Sequence, residues 1–137
     1  MSRVRSLENA VVLVVEDDRD SLQTLTCLLG ESLGCVVTGA LSGREALGMI
    51  EAGLAVDLVL SDVVMPDLDG LMLAHEVRKR LPSVPVVLAT GWPGVVDKVV
   101  ERGAIAMIKP YSIEQLEAVL TEQLLIRRAG RRTERLP

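Results

Sequence analysis

Five short runs, at residues 11–15, 35–39, 57–61, 84–89 and 104–108, are built mostly from Val, Leu, Ile and Ala, and none alternates apolar with polar residues. A strand wet on one face would alternate; a strand apolar on both faces needs a layer packed on each side. Between the runs lie segments with helical spacing, so the chain reads as five βα units. Right-handed crossovers wind such units into one parallel sheet with helices on both faces. The expected strand order is 2-1-3-4-5. In that order strands 1 and 3 are neighbours where the winding reverses, and the C-terminal tips of strands 1, 3, 4 and 5 converge on one edge.

The expected class is therefore α/β: a doubly wound five-stranded parallel sheet in a flavodoxin-like (βα)5 three-layer sandwich. Helix punctuation supports it. Asp18 or Asp20 can cap a first helix running to about Ser32, with Leu22, Leu25, Leu28 and Leu29 on one stripe and Gly34 as the stop. Ser42-Gly-Arg-Glu45 is a capping box. Asp69-Gly70 opens a third helix to about Leu81, and Gly91-Trp92-Pro93-Gly94 is a loop leading to a brief helix that Gly103 ends. Ser112 starts the last helix, with Leu116, Val119, Leu120 and Leu124 inward. The organisation expected is an N-terminal extension at 1–10, one domain at 11–126 and a basic tail, solvated and partly disordered, at 127–137.

Composition bounds the function. With one Trp, one Tyr and no Phe, the core must be Val, Leu, Ile, Ala and Met, with Met49, Met65, Met72 and Met107 as filler. The net charge of −4 is uneven: residues 127–137 hold five Arg and one Glu, which leaves ten basic against eighteen acidic residues in the first 126. An acidic body repels phosphate backbones, so no nucleic-acid partner is expected. No apolar run approaches the roughly 20 residues of a membrane span. Cys27 and Cys35 lack metal-ligand spacing and fit a reducing compartment, so a cytoplasmic location is expected. His75, the sole His, lies on the third helix, away from the strand tips.

The chemistry gathers at those tips. Glu16 and Asp17 follow the first strand and Asp62 ends the third. Three carboxylates in one cleft repel one another unless a cation sits between them, and hard oxygens are what Mg²⁺ prefers. Thr90 ends the fourth strand and offers a hydroxyl; Lys109, before Pro110, ends the fifth and offers an ammonium. Acids, metal, hydroxyl and ammonium around one carboxylate suit phosphoryl transfer, which is mostly positioning and charge stabilisation. The carboxylate would be the nucleophile, forming an acyl phosphate.

These motifs (Val14-Val15-Glu16-Asp17-Asp18, Asp62-Val-Val-Met-Pro-Asp-Leu-Asp-Gly70, Ala89-Thr90 and Lys109-Pro110-Tyr111) resemble, in this order, those of response-regulator receiver domains. The resemblance covers about residues 11–125. It implies that Asp62 is the phosphoacceptor, receiving phosphate from a histidine kinase or a histidine phosphotransfer protein. It implies that Asp17, Asp62 and the Val64 backbone carbonyl ligate Mg²⁺ directly and Glu16 through water. It implies that Thr90 and Lys109 hold the phosphoryl oxygens and that the Lys109–Pro110 bond is cis. Such a domain would signal by protein–protein contact rather than by enzymatic turnover, as a monomer or weak dimer.

Three departures stand out. Many receivers have Tyr or Phe three residues before the Lys; here that position is Ala106, so the usual Thr–aromatic switch cannot operate as drawn. The stretch from Thr90 to Lys109 is short, a brief helix or a loop. Ile105, Ala106 and Met107 are apolar where the family's dimerising members often carry acids. Val64 and Trp92, two residues after Asp62 and Thr90, are expected to shield the acyl phosphate and slow its hydrolysis. No output-domain pattern follows the last helix, so the expectation is a stand-alone receiver or the receiver part of a longer protein such as a hybrid histidine kinase. Among rivals, a flavodoxin-like cofactor binder would need a phosphate cradle where Glu16-Asp17-Asp18 stand. A Mg²⁺-dependent phosphohydrolase with an Asp nucleophile would usually carry that Asp after the first strand and a cap, and an adaptor would not need the acid–Thr–Lys set.

Overall fold

The computed structural model describes residues 7–134. The expected extremes at 1–6 and 135–137 lie outside the described residues. The elements run β1 (Val11–Val15), α1 (Arg19–Cys27), β2 (Val36–Ala40), α2 (Gly43–Glu51), β3 (Leu58–Asp62), α3 (Gly70–Arg80), β4 (Val86–Thr90), α4 (Val96–Glu101), β5 (Ile105–Ile108) and α5 (Ile113–Glu134). All pairings are parallel and the order is β2-β1-β3-β4-β5, as expected from the βα pattern.

The continuous apolar character of the strands is explained by two cores. Leu13, Val15, Val59 and Leu88 face one side with α2, α3 and α4, where Ala46, Ile50, Leu73, Val77 and Val99 are buried. Val12, Val14, Leu58, Leu60 and Val87 face the other with α1 and α5, against Leu29, Leu116, Leu120 and Leu124. Successive residues of one strand thus serve opposite layers.

Capping follows the expected chemistry. Asp18 accepts from Ser21 N–H at 2.9 Å, Ser42 from Glu45 N–H at 3.0 Å and Asp69 from Met72 N–H at 2.9 Å. Ser112 and Gln115 form a reciprocal capping box at 3.0 and 2.8 Å. Gly34 and Gly103 hold positive φ, at 75° and 74°, where their helices stop.

Several details differ from expectation. The helix after Cys27 widens into one π turn, Leu28–Ser32. Leu29 is buried but Leu28, at the start of the π turn that breaks the regular α-helical stripe, is exposed. Met72 is exposed rather than core. The Trp92 loop contains a 3₁₀ turn, Pro93–Val95, before α4. Leu7 and Ala10, expected in an extension, are buried in the α1/α5 core. The tail begins as helix: α5 continues to Glu134, and Arg127 Nη1 bonds to Asp57 Oδ1 at 2.7 Å.

Candidate functional site

The register builds the site. Val15 pairs with Ser61, so Glu16 follows directly beside Asp62; Asp62 pairs with Ala89 and Thr90 with Ile108, so Lys109 follows beside Thr90. The Lys109 N–H donates to the Thr90 carbonyl at 2.8 Å, and the Lys109–Pro110 peptide is cis. Four strand tips therefore deliver Glu16, Asp17, Asp62, Thr90 and Lys109 to one edge, with Val64 just beyond in the loop after β3.

Carboxylate oxygens of Glu16, Asp17 and Asp62 lie within 4.8 Å of one another. Glu16 is 6% exposed and its Oε1 accepts from the Asp18 N–H at 3.1 Å. Lys109 Nζ lies 2.6 Å from Asp62 Oδ1. Burial, a hydrogen bond with the Asp62 side chain and the Asp62 charge push the Glu16 carboxyl up to about 8, against the pull of the Asp18 N–H and the Lys109 ammonium. One ammonium does not neutralise three carboxylates. The excess charge is relieved by protonating Glu16 or by a divalent cation, and this all-oxygen donor set fits Mg²⁺.

Thr90 is 3% exposed, and its Oγ accepts from the Trp92 N–H at 3.0 Å. That bond occupies a lone pair and leaves the hydroxyl proton free to donate. Asp62 opens onto two concavities. The smaller, about 160 Å³, is lined by Asp62, Val64, Thr90, Trp92 and Lys109. The larger, about 650 Å³, runs along α1 and includes Glu16, Asp20, Thr24, Leu25 and Tyr111. The side chains expected to shield the site flank the smaller concavity and are themselves mostly exposed, Val64 at 67% and Trp92 at 68%.

Sequence reasoning did not place two neighbours in the cleft, although Tyr111 stands in the Lys109-Pro110-Tyr111 motif. Asp20, read there as a cap or solvated acid, lines the larger cleft while Asp18 does the capping. Tyr111 lines it too, packed against the α1/α5 core, and burial with the charges of Asp62 and Glu16 pushes its hydroxyl up. Its place directly after Lys109-Pro110 was the available signal. Ala106 sits beside Leu88 in the register, half-buried against the α2/α3/α4 core, so no aromatic ring occupies that position.

A family model described as response regulator receiver domain matches residues 12–121. The probable transcriptional regulator ycf27 of Cyanidium caldarium is 38% identical over 131 residues, which is 91% of this chain and 49% of the relative. The sensor kinase CckA of Brucella abortus is 36% identical over 123 residues, 85% of this chain and 13% of the kinase. The chain thus spans half or less of these curated relatives. Among solved structures, the signal receiver domain of an HD domain-containing protein from Pseudomonas fluorescens Pf-5 aligns with TM-score 0.80 and 28% identity, covering 89% of this chain and 99% of that one. The response regulator TrrA from Thermotoga maritima, solved in complex with Mg²⁺-BeF, aligns with TM-score 0.76 and 27% identity, covering 83% and 98%.

Proposed function

The chain belongs to the response regulator receiver family, a signalling phosphoacceptor domain of two-component systems, and from that premise we propose that Asp62 is the residue that takes up the phosphoryl group. The observation that carries this reading is the position of the Asp62 carboxylate: beside two further acids, 2.6 Å from the Lys109 ammonium, and open to solvent through two concavities.

Receiver domains pair with histidine kinases or phosphotransfer proteins, and a phosphohistidine is the donor we assign. An Asp62 carboxylate oxygen attacks phosphorus, the O–P bond forms, the P–N bond to imidazole breaks, and the departing ring takes a proton from solvent. Lys109 Nζ exchanges its pairing with the Asp62 carboxylate for a phosphoryl oxygen, and the Thr90 hydroxyl donates to another. Asp17, Asp62 and the Val64 carbonyl would hold Mg²⁺, with Glu16 acting through water. When bound, the ion would neutralise charge among the carboxylates and polarise the phosphoryl group. Phosphorylation is stoichiometric signalling, not turnover. A second reading, the receiver segment of a hybrid histidine kinase, draws on the match to CckA, of which this chain spans 13%; the site chemistry is the same in both.

Trp92 is the sole Trp and lines the concavity at Asp62. Its fluorescence is expected to change with Mg²⁺ and again with beryllofluoride, and Asp62→Asn to abolish the second change. Multiple turnover of a small phosphate ester would favour the phosphohydrolase instead.

A further inference from the structure

At the end of the sheet opposite Asp62, a cavity of about 290 Å³ opens between α3, the start of β4, the turn into β5 and α5. Arg78, Arg102 and Arg127 line it together with Ser83 and Gln123, and no carboxylate does. In a chain of net charge −4, that is a concentrated patch of the opposite sign.

Arg127 gives this cavity a built wall. Its side chain is 7% exposed and held by Asp57, whose other oxygen accepts from the Val11 N–H at 2.8 Å. Yet Arg127 Nε is buried with no hydrogen-bond partner. A buried donor without an acceptor is costly. Arg78 and Arg102 make no ion pair among the described residues. Gly103 leaves room for the Arg78 guanidinium at the cavity: a Cβ there would collide with it.

We propose that this cavity binds a phosphate-type oxyanion, either free inorganic phosphate or the terminal phosphate of a nucleotide. A planar carboxylate is satisfied by one guanidinium fork. The guanidinium groups of Arg78 and Arg102, with the Asp57-paired Arg127 in the wall beside them, match a tetrahedral dianion with several oxygens to share. The volume, at the lower end for ligand sites, suits a small group rather than a large body. The site is independent of Asp62 and of its metal.

The test titrates inorganic phosphate, and separately ADP, into the full chain without Mg²⁺, followed by calorimetry and by amide NMR shifts. Saturable one-to-one binding is expected, with shifts in residues 102–105, unchanged by Asp62→Asn. The double variant Arg78→Gln/Arg102→Gln, altered only at exposed side chains, should weaken it at least about tenfold, the loss of charge-assisted hydrogen bonds. Tighter binding of ADP than of phosphate assigns the nucleotide; equal or weaker binding assigns the free ion. Failure of both anions to saturate, unchanged affinity in the double variant, or loss of binding in Asp62→Asn would overturn the proposal.

Discussion

Gly70 leaves room for the backbone that carries Asp62. A Cβ there would collide with the Asp62 carbonyl oxygen and lie 2.8 Å from the Val63 Cα, both of them main chain that cannot rotate away. Gly70→Ala is therefore expected to lower stability by roughly 1–3 kcal/mol, the range for overpacking. It should also slow phosphorylation, because the loop after β3 must move; denaturant unfolding and a phosphodonor time course check the two effects. Lys109→Ala removes the only cation paired with Asp62 among the described residues. Phosphorylation by a small-molecule donor should fall by about 10²-fold or more, the usual consequence of deleting one preorganised charge stabiliser. At this scale much was legible beforehand. Acids, hydroxyl and ammonium each end a strand, so knowing the strands placed them. Tyr111 and Asp20 were not legible, since their approach to the cleft depends on how α1 and the chain after Pro110 lean over the sheet edge.

The strands and caps were readable because each has a local cause: apolar runs for both faces, and Asp18, Ser42, Asp69 and Ser112 as side-chain acceptors. Strand limits shifted by a residue or two, since hydrophobicity marks burial and not the last ladder hydrogen bond. The end of α5 was not readable. Beyond Ile126 the pattern has no apolar stripe, and what orders Arg127 is a carboxylate 70 positions away. That contact ties α5 to the starts of β1 and β3, because Asp57 also accepts from the Val11 N–H. Arg127→Leu is expected to destabilise the domain by about 1–3 kcal/mol, by leaving the Asp57 acceptor partly unpaired. Chemical denaturation reads this, and no loss at all would mean the pair contributes nothing.

Across the whole molecule, the acid cluster links stability to pH. Glu16 is held at about 8 in the folded chain, against an ordinary value of 4.5. The folded state therefore binds a proton more tightly than the unfolded one, and between these values stability falls as pH rises. Without Mg²⁺ the protein is expected to melt lower at pH 8.5 than at pH 6. Glu16→Gln should flatten that slope, and added Mg²⁺ should raise the melting temperature most at the higher pH. A melting profile with the opposite slope would contradict the charge assignment.

Intact-mass spectrometry after treatment with acetyl phosphate and Mg²⁺ bears on everything proposed for the strand tips. The wild-type chain should gain one phosphoryl group that hydroxylamine removes, and Asp62→Asn should gain none. No adduct on the wild type, or the same adduct on the variant, would contradict the assignment of Asp62 as phosphoacceptor.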